Sequence, residues 1–260
     1  VLIALGQHAG LLKANFERHF LKPRRSRIEA IAKGDAVGKA TKQAIEAVIP
    51  IERLRYLAVS HFEADECGAL NALLEVAPRA VPVCSEIAAM VALGDFAIRP
   101  PRALRDGEEF GTGRFRFRWH YTPHVPHAWE CGLLMETTTR TFFCGDLFTQ
   151  GGKGERALTT EDILGPSEAF RRPMDYFAHA PQTAATLERL AQERPALLAC
   201  MHGSAWQGDG QALLLALRDS LATAKVKKTT DNGVVEIGDV PGDKVTVTVA
   251  AKCHSPTTFV

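Results

Sequence analysis

Ser60-His61-Phe62-Glu63-Ala64-Asp65-Glu66 is the stretch on which the reading of this 260-residue chain turns. Before it, residues 54–60 are mostly apolar and read as a strand; after it, Leu70, Leu73 and Leu74 fall on one side of a helical repeat from Asp65 to Val76. The motif therefore sits where a strand ends and a helix begins, and α/β folds place their sites at the C-terminal ends of strands. Side chains two apart in extended backbone share a side, so His61, Glu63 and Asp65 can project together. One imidazole with two or three carboxylates is a hard, oxygen-rich ligand set that suits iron or manganese better than a thiolate-rich zinc finger does.

The same residue types recur at other turns. His124 lies in Thr122-Pro123-His124-Val125-Pro126-His127, directly after the strictly alternating strand Arg114 to Tyr121, which carries Phe115, Phe117 and Trp119 on one face. Asp146 follows the second limb of a hairpin-like pair, Leu133–Thr137 and Thr141–Cys144, and His202 follows the apolar strand Ala196 to Cys200. Separate strand ends thus deliver His61, Glu63, Asp65, Glu66, His124, Asp146 and His202. A buried cluster of such groups is costly unless a metal neutralises it.

The remaining rhythm is that of an α/β protein. Val1 to Leu5 and Pro82 to Cys84 read as strands, and Ser26 to Val48 as a helix. Ser85 is a good N-cap for a helix from Glu86 to Leu93. Further helices are predicted at Ser167–Phe177, Pro181–Glu193 and Gln211–Ala224. Glycine and proline are spread evenly, so one domain of residues 1–260 is expected, with a main body of 1–224. The tail, 225–260, holds strand-like pieces at Val234–Ile237, Lys244–Ala250 and Thr257–Val260 that need a sheet to complete.

Composition narrows the function classes. Lys plus Arg is 31 against 30 for Asp plus Glu, so a formal charge of +1 supplies no global attraction to nucleic acid or an anionic membrane surface. No apolar run approaches the roughly 20 residues that span a bilayer. The 6 cysteines show no CxxC pairing, and a disulfide framework is not expected in a chain of this length. Residue 1 is Val rather than Met, and no signal peptide is visible. These features together lead to the expectation of a cytoplasmic protein. Arg114, Arg116 and Arg118 read as a solvated strand face, and Tyr121, Trp129 and Trp206 as either pocket wall or core.

In order and context these residues resemble the metallo-β-lactamase fold superfamily, whose usual first motif is His-x-His-x-Asp-His. Glu63 replaces the middle histidine, which makes the chain similar to the oxygen-binding di-iron branch, the catalytic domain of flavodiiron proteins. His124-Val125-Pro126 resembles the His-x-Pro motif of the fold, Gly145-Asp146 its bridging aspartate, and His202-Gly203 its last histidine; the resemblance runs from about Val1 to Ala224. It implies an αββα sandwich, two mixed sheets flanked by helices. It also implies a first ion held by His61, Glu63 and His124, a second by Asp65 and His202, and Asp146 between them.

Glu66 stands where the family usually has a further histidine. As a ligand it would bring four carboxylates to balance two divalent ions; as a first-turn helix acid it would leave an open coordination position. His127, close to His124, is assigned to the pocket lining. The first strand also departs from the family, reading Ala4-Leu5-Gly6 where an aspartate is usual. Joined end to end, Thr257–Val260 and Val1–Ala4 would make one apolar strand, so a circularly permuted arrangement with both termini in one sheet is expected.

The resemblance implies a non-haem di-iron oxidoreductase, two Fe ions (alternatively Zn or Mn) binding and reducing O2 or NO. Flavodiiron proteins carry an FMN-binding domain on the same chain. Nothing after Ala224 is long enough for one, so an external flavoprotein or rubredoxin-type donor is implied, with a homodimer possible. The alternatives are a stand-alone O2 or redox sensor, and a metallohydrolase of esters, lactones or thioesters, against which Glu63 counts.

Overall fold

The computed structural model describes residues 42–151 and 156–222, together with the backbone of strand pieces at 2–4, 226–227, 236–237, 247–249 and 257–259. Most of the helix expected from Ser26 lies outside the described residues; 42–46 are helical. Strands β1 (Leu2–Ala4), β2 (Tyr56–Ala58), β3 (Val81–Ser85) and β4 (Arg102–Leu104) form a 4-stranded sheet in that order, every described pair parallel.

Parallel neighbours need crossover connections, and helices supply them. Between β2 and β3 run α1 (Ala64–Cys67) and α2 (Leu70–Val76), where the sequence predicts a single helix. The break falls at Gly68, a residue that weakens a helix interior. Between β3 and β4 runs α3, residues 86–96, whose middle turn is a π-turn over Ala89–Leu93. Ser85 caps it as expected, its hydroxyl accepting the Ala88 N–H at 2.9 Å.

The second sheet is 7-stranded and mixed. It contains β5 (Glu109–Thr112), β6 (Phe115–Tyr121), β7 (Gly132–Glu136), β8 (Thr141–Phe143), β9 (Leu158–Thr159), β10 (Leu197–Ala199) and β11 (Ala205–Gln207), in the order β5-β6-β7-β8-β10-β11-β9. The pairs β8–β10 and β9–β11 are parallel and the others antiparallel. Helices α4 (Leu164–Met174), α5 (Thr183–Ala191) and α6 (Gly210–Ala222) complete the described body.

Alternation along the strands sorts the core into three layers. Ala58, Val83 and Leu104 of the first sheet meet Phe117, Trp119 and Leu134 of the second. On the outer side of the first sheet, Leu57, Val59 and Cys84 pack on Leu70, Leu73 and Leu74. On the outer side of the second, Leu133, Met135, Phe142 and Leu198 pack on Leu187, Leu190, Leu214 and Leu217. The arrangement is helix, sheet, sheet, helix: the expected αββα sandwich.

In the tail, β12 (Val226–Lys227) pairs antiparallel with β13 (Glu236–Ile237), and β14 (Val247–Val249) with β15 (Thr257–Phe259). The expected joining of the termini turns on Val1 and Val260, which lie outside the described residues; β1 is paired with β2 and β15 with β14.

Candidate metal centre

The ends of β2, β6, β8 and β10 converge at one edge of the sandwich, and each is held there by backbone hydrogen bonds. After β2, the Ser60 carbonyl accepts the Gly132 N–H at 2.9 Å, linking the first sheet to the start of β7. The Phe62 N–H donates to Glu130 Oε1 at 2.9 Å, so the buried Glu130 pins the segment carrying His61 and Glu63. Glu63 is extended (φ −137°, ψ 153°), and α1 starts directly after it, turning Glu66 into the interior.

After β8 the chain turns through Gly145, whose φ of 50° and closeness to Leu133 Cδ2, 3.0 Å from where a Cβ would sit, both favour glycine. The Asp146 carbonyl then accepts from Thr149 Oγ1 at 2.8 Å and from the Tyr176 hydroxyl at 3.1 Å. After β10, the His202 carbonyl accepts the Gln150 N–H at 3.0 Å.

These loops gather ligand atoms into two groups, His61–Glu63–His127–Asp146 and Glu66–Asp146–His202, each within 4.8 Å. Asp146 belongs to both, and its oxygens face different ways. Oδ2 lies 2.9 Å from His127 Nε2 and 3.5 Å from His61 Nε2, while Oδ1 lies 3.3 Å from His202 Nε2. His61 Nε2 is 2.9 Å from Glu63 Oε2, His127 Nε2 is 3.7 Å from the same oxygen, and His202 Nε2 is 3.4 Å from Asp65 Oδ2.

The donor set fits a pair of divalent cations. An ion about 2.1 Å from each ligand atom separates neighbouring ligands by roughly 3–4 Å, the spacing seen here. Glu66 Oε1 is buried and has no hydrogen-bond partner, which is costly unless something else satisfies it. The first group would hold one ion, Glu66, His202 and the nearby Asp65 the other, with Asp146 between.

The electrostatics show what the cluster lacks. His202 is pushed up to about 10 by its hydrogen bonds to Asp146 and Asp65, against burial. Asp146 is pressed upward by burial, yet hydrogen bonds from His127 and His202 hold it well below the usual carboxylate range. Glu66 is pushed up to about 9 by burial and by the charge of Asp146, although Ser60 stabilises its ionised form. The acids share histidines, and one remains under strong pressure to stay protonated.

His61, Glu63, Asp65, Glu66, Asp146 and His202 come together as expected. His124 does not. It is exposed, has φ 62°, and donates its N–H to the Ala128 carbonyl at 2.9 Å. Val125 is fully buried in the core and anchors the loop, and the turn beyond it brings His127 inward in place of His124. The structure thus puts His127, and not the expected His124, in the candidate group. A pair of histidines around an apolar residue signals that one of them turns in, without saying which.

Ser60, Glu130 and Tyr176 are further contributors that sequence reasoning missed, since each acts through contacts distant in sequence or through a hydroxyl of no recognisable pattern. Of the aromatic residues weighed as pocket wall or core, Trp129 is exposed, Trp206 packs on the outer core, and Tyr121 accepts a hydrogen bond from the Glu86 N–H.

No protein-family model and no curated protein sequence matches the chain. Solved structures do match its fold. Rubredoxin oxygen:oxidoreductase from the anaerobe Desulfovibrio gigas aligns with a TM-score of 0.61 at 21% identity, over 71% of this chain and 48% of that one. A single-site variant of the flavo di-iron protein from Thermotoga maritima aligns at 0.61 and 19%, over 71% and 46%. The apo state of the chemotaxis sensor ODP from T. denticola aligns at 0.61 and 16%, over 70% and 76%; ODP is also solved as a peroxy diiron species. The chain thus spans about half the length of the first two proteins. Its fold is the metallo-β-lactamase type, in the form carried by the flavodiiron proteins and by the ODP sensor.

Proposed function

We propose that this chain holds two iron ions and uses them to bind and reduce O2 or NO, drawing electrons from an external flavoprotein or rubredoxin-type donor. The observation that carries the reading is the shared Asp146, whose two oxygens each face a separate group of ligands. Ferrous ions held by these residues would supply electrons for reducing a diatomic ligand. Glu63, Asp65, Glu66 and Asp146 can balance the four positive charges, and an oxygen-rich donor set favours iron over a thiolate-bound metal. The His61 and His127 rings stand edge to face at 4.6 Å, and Tyr176 lies edge-on to His127 at 6.1 Å. The reading also places the protein in the cytoplasm, where the buried thiols Cys67, Cys84, Cys131, Cys144 and Cys200 would remain reduced.

The fold match supports a second reading. ODP, described as a chemotaxis sensor, is covered over 76% of its length, so a sensing module without rapid turnover is the alternative. Metal analysis of protein purified without added metal, followed by O2 consumption with flavoprotein and rubredoxin donors, tests both. Two irons with donor-dependent consumption supports the reductase. Two irons, a stable aerobic spectrum and negligible consumption supports the sensor. Zinc together with hydrolysis of an ester or lactone overturns both.

A further inference from the structure

We propose that Ser60 is a positioning residue that ties the two metal positions together: its hydroxyl accepts from His61 Nδ1 and donates to Glu66 Oε2, leaving His61 Nε2 and Glu66 Oε1 for the ions. The proposal rests on the two-metal reading above and assigns a residue that touches neither ion. Ser60 Oγ lies 3.0 Å from His61 Nδ1 and 3.0 Å from Glu66 Oε2. A cation beside Glu66 favours its ionised form, and an ionised carboxylate only accepts. The single hydroxyl proton of Ser60 then points to Glu66, and its lone pair receives the N–H of His61 Nδ1.

An imidazole protonated at Nδ1 presents its lone pair at Nε2, and Nε2 is the nitrogen that faces Glu63 and Asp146. Glu66 is likewise held by one oxygen, which leaves Oε1 buried without a hydrogen-bond partner, and Glu66 forms a group with Asp146 and His202. Metal-bound histidines commonly have the distal nitrogen fixed in this way, and loss of the fixing group typically costs about 10–100-fold in affinity.

Helix capping does not account for the serine. The residue at the N-cap of α1 is Glu63, and no side chain caps that end. Ser60 is itself held in place, its carbonyl accepting Gly132 N–H at 2.9 Å and its side chain meeting the open face of Gly145, 3.5 Å from where a Cβ would sit. One hydroxyl thereby orients a ligand of the first ion and a ligand of the second.

The test uses the whole chain with Zn2+ and Mn2+ as probes. Calorimetric titration of Ser60→Ala should show both ions bound about 10–100-fold more weakly than in the wild type, with Ser60→Thr restoring most of the loss. In the Zn2+-loaded wild type, 15N NMR of His61 should show a protonated Nδ1 and a metal-bound Nε2. Equal affinity in wild type and Ser60→Ala overturns the proposal and leaves the two-metal reading standing. So does a His61 bound through Nδ1, a result that needs no variant to fold. A wild type that takes up neither metal overturns the two-metal reading and this proposal with it.

Discussion

Glu168 and Asp146 are both buried carboxylates, 5% and 7% exposed, but the first brings its own cation and the second does not. Arg171 meets both oxygens of Glu168 at 2.8 Å, and Ser220 adds a hydrogen bond at 2.6 Å. Asp146 stands among Glu63, Asp65 and Glu66, and its ion-pair partners are all histidines. A carboxylate that serves only the fold closes its charge balance within the chain. One that serves a site leaves the balance open for a cation from solution.

The largest expected effect tests the closed side of this contrast. Glu168→Ala breaks the buried ion pair with Arg171 and should cost about 3–5 kcal/mol of stability, read as a lower urea midpoint, while metal bound per folded chain stays unchanged. A loss below about 1 kcal/mol would show that Glu168 and Arg171 are not the self-contained pair described.

The open side responds to metal. Divalent ion at 100 times its dissociation constant should stabilise the fold by about 2.7 kcal/mol, measured as a rise in the thermal midpoint. In Asp146→Ala the rise should disappear, because a residue common to both groups is gone. An undiminished rise in that variant breaks the shared-ligand reading.

The two regions should also carry opposite pH signs in metal-free protein. Burial raises Glu168, but hydrogen bonds from Arg171 and Ser220 outweigh it and lower the carboxyl below its ordinary 4.5. Its contribution is therefore present above that value and lost as the pH falls through the lowered one. Glu66 is raised from 4.5 to about 9 and His202 from 6.5 to about 10. Their contributions are complete below the ordinary values and are lost as the pH rises towards the raised ones. Stability followed by denaturant titration should fall from pH 5 to 9, and Glu66→Gln should flatten that fall; a rise over the same range contradicts the assignment.

The smallest expected effect separates the neighbouring histidines. His127→Ala should weaken metal binding at the first group, whereas His124→Ala should leave binding unchanged and alter stability by no more than about 0.5 kcal/mol. Titration of both variants in parallel checks the assignment of His127, and equal losses would undo it.

Much of this was legible in the chain because it is local. An apolar strand ending at Ser60, a hairpin ending before Asp146 and a buried strand ending before His202 each leave a signature within about ten residues, and the structure retains all three. The short strands β4, β5, β9 and β11 left little trace: they are edge or near-edge pieces of 2–4 residues, formed because a partner offers hydrogen bonds. The choice between His124 and His127 was illegible for the same kind of reason. It depends on Val125 seating in a core built from residues far along the chain.

By itself, the sequence determined the succession of strands and helices and the chemistry of the donor set, since hydrophobic period and residue type are properties of short segments; the sandwich of two sheets was implied by the resemblance of its motifs. Only the tertiary structure decided which histidine faces Asp146, which oxygen of Asp146 serves which group, and that Ser60 stands between His61 and Glu66. Those relations are distances of 3–4 Å between side chains from separate strand ends, set by how two sheets and their helices pack, and no local pattern encodes them.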